Sequence, residues 1–208
     1  MLVDMHLHAL PHSTDSFITL EEIVYHAKQK GLDAVCLTDH DSMGGKEFAE
    51  EYSRKIDFPI FVGIEYFSLF GDITTWGVSS YPNKRIEAQT WIDYVEESKG
   101  FCCACHPFRN NNRGFEENLG VVKGLHGVEV LNGSTPMETN RIALRWCRDL
   151  GLQPIGASDA HVIKQIGKYA TWLPERVDNL KDFVAQLHSC ETKPAIWNGI
   201  DYDVVDTF

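Results

Sequence analysis

The chain has 208 residues, of which 43% are hydrophobic and 24% charged, with a formal net charge of −11. That is enough chain for a sizeable core, and residues 1–208 read as a single domain of ordinary globular composition. The acidic balance disfavours nucleic acid as a partner, no apolar run approaches the roughly 20 residues of a membrane span, and the N-terminus lacks the basic and apolar regions of a signal peptide. The expectation is therefore a cytoplasmic protein with no membrane association.

The first predicted element is a strand from Leu2 to His8. Its sequence Leu-Val-Asp-Met-His-Leu-His places Asp4, His6 and His8 two apart. Side chains at i and i+2 share a face of a strand, so these three polar groups line one side while Met5 and Leu7 fill the other. An imidazole buried without a partner is costly, so something must stand opposite them. Thr19-Leu-Glu-Glu22 reads as a capping box that opens a helix ending near Gly31. A short strand at Ala34 to Leu37 follows, then a helix from Ser42 to about Lys55 whose start is weakened by two glycines. Pro59 to Phe67 and Ile73 to Ser79 read as strands, and Ile86 to Lys99 as a helix stopped by Gly100. Phe101 to Cys105 and Gly127 to Leu131 read as strands, and Pro136 to Asp149 as a helix before Gly151. The last expected elements are a strand at Pro154 to Ala157 and a helix at Asn179 to Leu187. Strands and helices alternating in this way imply an α/β fold with parallel strands and crossover helices, and the number of repeats suggests a barrel.

The six cysteines have irregular spacing. Cys102-Cys103-Ala104-Cys105 contains a CxxC, but no second pair completes a four-thiolate zinc site, so these residues read as small buried hydrophobes. His26, His126 and His188 fall away from the polar strand ends and read as ordinary. The five tryptophans follow no regular spacing and read as core.

The chemistry collects where strands meet their loops. The first strand ends in His6 and His8, and the second in Thr38-Asp39-His40-Asp41. The third carries Glu65, the Phe101 strand ends in His106-Pro107, the Gly127 strand ends near Asn132, and the Pro154 strand ends in Ser158-Asp159-Ala160-His161. In parallel α/β folds that edge binds ligands. Imidazoles and carboxylates from five segments on one rim suit zinc, manganese or iron, so metal ions are the expected partners of His6 and His8.

In this order, Asp4-x-His6-x-His8, Thr38-Asp39-His40-Asp41, Glu65, His106-Pro107 and Ser158-Asp159-Ala160-His161 resemble the PHP (polymerase and histidinol phosphatase) family, over nearly the whole chain. The resemblance implies a distorted, seven-stranded β/α barrel of TIM-like type, two or three divalent metals per chain, and phosphoesterase activity. It implies that His6, His8, Glu65 and Asp159 hold a first metal, that Glu65 bridges to a second held also by His106, and that Asp15, His40 and His161 hold a third. His12 is an alternative to Asp15 in the same loop. The usual family histidine in the strand after the glutamate is missing, because Thr74-Thr75-Trp76-Gly77 stands there, and Asp72 is a weak substitute. The second metal is therefore expected to be weakly held, completed by water or substrate, or absent.

The expected reaction is hydrolysis of a phosphate ester of a small metabolite or nucleotide by a hydroxide held between metals near Glu65 and Asp159. Arg109 is a candidate phosphate clamp, with Arg113 a weaker one. Asn132 is placed to orient substrate or water, and Asp39 or Asp41 to orient a ligand imidazole. Two alternatives stand beside this reading: a metal-dependent amide or lactone hydrolase of similar barrel, and a metal-binding domain that has lost catalysis.

Overall fold

The computed structural model describes residues 1–206. The first strand, β1 (Leu2–Leu7), is followed by α1 (Leu20–Gln29), β2 (Ala34–Leu37), α2 (Lys46–Ile56), β3 (Ile60–Val62), β4 (Ile64–Phe67) and β5 (Asp72–Trp76). Then come α3 (Ala88–Glu97), β6 (Phe101–Ala104), β7 (Gly127–Asn132), α4 (Met137–Leu150), β8 (Gln153–Ala157), β9 (Tyr169–Trp172), α5 (Leu180–Ser189), β10 (Lys193–Trp197) and β11 (Tyr202–Val204).

The helices arise for the reasons their sequences suggest. Thr19 caps α1 by accepting from the Glu22 N–H, while the Glu22 carboxylate accepts from the Thr19 N–H at 2.8 Å. Leu20, Ile23, Val24 and Ala27 form its buried stripe. The helix expected from Ser42 begins only at Lys46. His12 packs against Gly44 and Gly45, where a Cβ on Gly44 would stand 2.7 Å from the His12 Nδ1, so the two glycines that weaken the helix start are required there.

The α/β class holds, but the strands do not close into the expected seven-stranded barrel. They pair in two sheets, ordered β11-β10-β9-β1-β2-β3 and β4-β5-β6-β7-β8. The span expected as one strand from Pro59 to Phe67 is divided at Gly63, and its halves join different sheets. A Cβ on Gly63 would strike the Thr75 carbonyl and stand 2.6 Å from the Trp76 ring, so the chain passes that point only without a side chain. β5 runs antiparallel to both neighbours, and β9, β10 and β11 form an antiparallel extension that the sequence pattern did not reveal.

Two isolated bridges, Leu7 to Ala160 and His40 to Glu65, tie the sheets together at the seams. Apolar clusters lie between the first sheet and α1 and α2, and between the second sheet and α3 and α4. A third cluster draws Val3, Met5, Cys36, Phe61, Trp76, Phe101 and Ile155 from both sheets onto Phe183 and Leu187 of α5. Burying both faces of the sheets leaves the strand ends at the seams as the place for polar groups. Among the described residues no helix is long and apolar enough to cross a membrane.

Candidate metal centre

The seams gather residues from seven segments. His6, Glu65, Glu129 and Asp159 are each no more than 1% exposed, and His8 and His106 are buried with them. The backbone turns sharply where two of these side chains emerge. His106 and Asp159 have φ of 34° and 50°, left-handed conformations that a non-glycine residue adopts at a cost of about 1 kcal/mol or more. Such strain at a strand end aims the side chain across the seam rather than along the strand.

Each imidazole of the first strand is held from behind. His6 Nδ1 lies 2.7 Å from Glu129 Oε1, and Glu129 Oε2 accepts from the His106 N–H and from Asn132 Nδ2. The His6 imidazole in turn keeps the Glu129 carboxyl below its ordinary value despite burial, so Glu129 is an acceptor and His6 Nδ1 the donor. His8 Nδ1 lies 3.2 Å from Ser13 Oγ, whose own hydrogen goes to Asp39 Oδ1 at 2.7 Å. Ser13 therefore accepts from His8, and the chain Asp39–Ser13–His8 sets that tautomer. Both Nε2 atoms are left facing one another at 2.9 Å. Two nitrogen lone pairs this close repel unless a cation or proton lies between them.

Glu65 stands opposite and divides its two oxygens. Oε1 lies 2.9 Å from His106 Nε2 and accepts the Cys105 thiol at 3.5 Å. Oε2 lies 3.4 Å from the Nε2 atoms of both His6 and His8 and 2.6 Å from His40 Nδ1, yet makes no hydrogen bond. Asp159 Oδ1 lies 3.3 Å from His8 Nε2 and 3.7 Å from His6 Nε2. At the open side, Asp15 Oδ2 lies 3.1 Å from His40 Nε2 and 3.4 Å from His161 Nε2. The His8 ring is stacked with both His40 and His161. The structure thus brings together all eight residues expected as ligands. It places Asp15, not His12, beside His40 and His161.

The electrostatics are those of a cation site. Burial opposes ionisation of Glu65 and Asp159, but His6 above all holds both carboxyls well below the usual range, with His106 and His40 assisting at Glu65 and His8 and Arg109 at Asp159. Burial would depress His6 as well, yet the Glu129, Asp159 and Glu65 carboxylates drive it well above its ordinary value. Burial dominates at His8, whose pKa falls to about 4, leaving a neutral imidazole. Ionised carboxylates around inward-facing imidazole nitrogens, one acceptor oxygen unpartnered, form a donor set that divalent cations fit.

Further residues complete the cleft. Arg109 Nη2 donates to Asp159 Oδ2 and, at 2.7 Å, to Asn132 Oδ1, while its Nε donates to Thr135 at 3.1 Å. Arg113 grips both oxygens of Asp72, which lies 3.7 Å from His106 Nε2. Arg109 and Arg113, with Asn111 and Ser134, help to line a cleft of about 260 Å³ over Glu65, His106 and Asp159. Asp4 stands apart from these candidate ligands. Its carboxylate accepts the Ser158 and Gly167 N–H groups, each at 2.9 Å, and so pins the turn that carries Asp159. Asp41 accepts the Phe67 N–H rather than orienting an imidazole. Glu129 is the functional residue that sequence reasoning missed. Its signal was an acidic residue in the middle of the apolar run Gly-Val-Glu-Val-Leu.

With this geometry in place, the similarities to known proteins take on meaning. The PHP domain model matches residues 4–122, and the PHP-associated model matches residues 137–192. The chain belongs to the PHP family. It is 23% identical to an uncharacterized protein of Methanocaldococcus jannaschii over 141 residues, covering 64% of this chain and 82% of that one. In fold it is similar to a two-domain protein from Bacteroides vulgatus containing a predicted PHP-like metal-dependent phosphoesterase. The TM-score is 0.74 at 21% identity, covering 95% of this chain and 65% of that one, so the chain spans about two thirds of its length. It is also similar to a lesion-specific endonuclease from Pyrococcus furiosus, with a TM-score of 0.65 at 16% identity, covering 97% of this chain and 58% of that one. Family membership supports a metal-dependent hydrolase. With an endonuclease on a similar fold, net charge alone does not exclude nucleic acid.

Proposed function

We propose that this protein is a metal-dependent phosphoesterase that hydrolyses a phosphate ester of a small metabolite or nucleotide, with residues 1–208 forming one catalytic domain. The observation that carries this reading is the divided Glu65 carboxylate. One oxygen faces His6, His8 and His40, the other faces His106, and Arg109 stands in the same cleft.

In this reading His6, His8, Glu65 and Asp159 hold one cation, Glu65 and His106 share a second, and Asp15, His40 and His161 hold a third. Zinc, manganese and iron suit these donors. Such cations activate water near neutral pH and neutralise charge developing on phosphoryl oxygens. Glu129 and the Asp39–Ser13 pair keep the His6 and His8 nitrogens aimed inward. Arg109 spends Nε and Nη2 on Thr135, Asn132 and Asp159, leaving Nη1 to donate to a phosphate oxygen. Arg113, braced on Asp72, adds positive charge at the mouth. A cleft of about 260 Å³ lies below the usual range for a whole drug-sized ligand, so it takes the phosphate and its ester oxygen and leaves the rest of the substrate at the rim.

Elemental analysis of protein purified without chelator, paired with an aryl phosphatase assay in manganese, tests the reading. Two or three metals per chain, turnover, and competitive inhibition by inorganic phosphate are expected, with Asp159→Asn reducing kcat about 100-fold or more. Absence of metal after reconstitution, or turnover of amides or lactones that phosphate does not inhibit, would overturn it.

A further inference from the structure

We infer that Cys105 is a ligand of the cation that Glu65 and His106 share, and that this thiolate makes the second position selective for a thiophilic ion. The inference rests on the metal-dependent reading above and adds a residue to it.

The second position is short of donors. Thr74, which stands where a histidine would strengthen it, sits opposite Cys103 in the β5–β6 pairing and donates its hydroxyl to the Cys103 carbonyl at 3.3 Å. It is therefore turned away from the task. Asp72 is gripped by both nitrogens of Arg113 and comes no nearer than 3.7 Å to His106. That leaves His106 and one oxygen of Glu65, two donors for an ion that takes at least four.

Cys105, the residue just before His106, supplies a third donor and leaves a fourth position for water or substrate. Its Sγ lies 3.5 Å from Glu65 Oε1, the oxygen that is 2.9 Å from His106 Nε2. Ligand atoms of Glu65, Cys105 and His106 all fall within 4.8 Å of one another, and the three residues are buried. Zinc bonds of about 2.0 Å to nitrogen or oxygen and about 2.3 Å to sulfur, at tetrahedral angles, put donor atoms roughly 3.3–3.7 Å apart. The observed spacing needs only small side-chain adjustment. Cys102 and Cys103, by contrast, point at backbone carbonyls or His126 and meet no carboxylate.

Binding exchanges the S–H proton for the metal, and the proton passes to solvent. A thiolate donor suits zinc, iron or cobalt and is a poor match for magnesium or manganese. The first and third positions, built from imidazole and carboxylate, carry no such bias.

Cobalt(II) loading of the full-length protein tests this. A thiolate-to-cobalt charge-transfer band in the near ultraviolet is expected, rising with cobalt bound. It should vanish in Cys105→Ser and persist in Cys190→Ser, which alters the one partly exposed cysteine. In competition titrations Cys105→Ser should lose about tenfold or more in zinc affinity, with manganese affinity little changed. If Cys105→Ser does not fold, X-ray absorption of the zinc-loaded wild type decides, with sulfur among the zinc neighbours expected. Cobalt bound without the charge-transfer band, or zinc without a sulfur neighbour, overturns the role of Cys105 and leaves the metal centre standing. No cobalt bound at all overturns the metal centre itself.

Discussion

At the scale of single residues, the imidazoles of the first strand are held from behind. The His6–Glu129 and His8–Ser13–Asp39 chains leave each ring one available nitrogen and one orientation. Glu129 touches no part of the open cleft, so its effect passes through His6. Glu129→Gln keeps the shape but removes a buried carboxylate, and metal affinity should fall about 10- to 100-fold. A chelator competition titration reads that loss, and unchanged affinity would mean that His6 is positioned by packing alone. Seven of the expected ligands stood out as His, Asp or Glu where an apolar run meets a loop, whereas Asp15, inside the Ala9–Ser16 loop, came from the resemblance with His12 as its alternative. Glu129 did not stand out, because it sits inside a strand rather than at its end. Cys105 did not, because a cysteine in an apolar strand is indistinguishable from a small hydrophobe until its neighbours are known.

At the scale of elements, local chemistry and tertiary crowding separate cleanly. The capping box at Thr19 is a local feature, readable from four residues and present as read. Thr19→Ala should cost about 1 kcal/mol and lower Tm by a few degrees with the metal centre intact. Gly63 is the opposite case. Its need for no side chain comes from Thr75 and Trp76, which lie on another strand. Gly63→Ala should cost about 2–3 kcal/mol or more, and it should also weaken metal binding, because Glu65 follows two residues later. Thermal unfolding with metal titration of both variants checks the contrast. A Gly63→Ala protein as stable as Thr19→Ala would show that the β3–β4 break is not sterically imposed. The strands β9, β10 and β11 escaped the sequence pattern because Tyr-Ala-Thr-Trp, Lys-Pro-Ala-Ile-Trp and Tyr-Asp-Val mix polar and apolar residues and form no apolar run.

At the scale of the whole molecule, the two sheets meet where the carboxylates concentrate. Glu65 and Asp159 come from the two edges of the second sheet, one at β4 and one at the end of β8, where the His40–Glu65 and Leu7–Ala160 bridges join it to the first sheet. A cation that binds the folded chain alone stabilises it by mass action, about 4 kcal/mol at a thousandfold excess over Kd. Chelation should therefore lower Tm by roughly 10 °C, reversibly on adding zinc. Calorimetry with and without chelator measures this, and no shift would show that the seams are held by packing and hydrogen bonds alone.

The amino-acid sequence by itself determined the α/β class, the capped start of α1 and the placing of His, Asp and Glu side chains where strands meet their loops. These depend on periodicity, capping and residue type, all local in the chain. Tertiary structure decided that the strands form two joined sheets rather than a closed barrel, that Asp15 rather than His12 meets His40 and His161, and that Glu129 stands behind His6 and Cys105 beside Glu65. Those outcomes depend on contacts between residues far apart in the chain, where steric fit and the pairing of buried charges set the result.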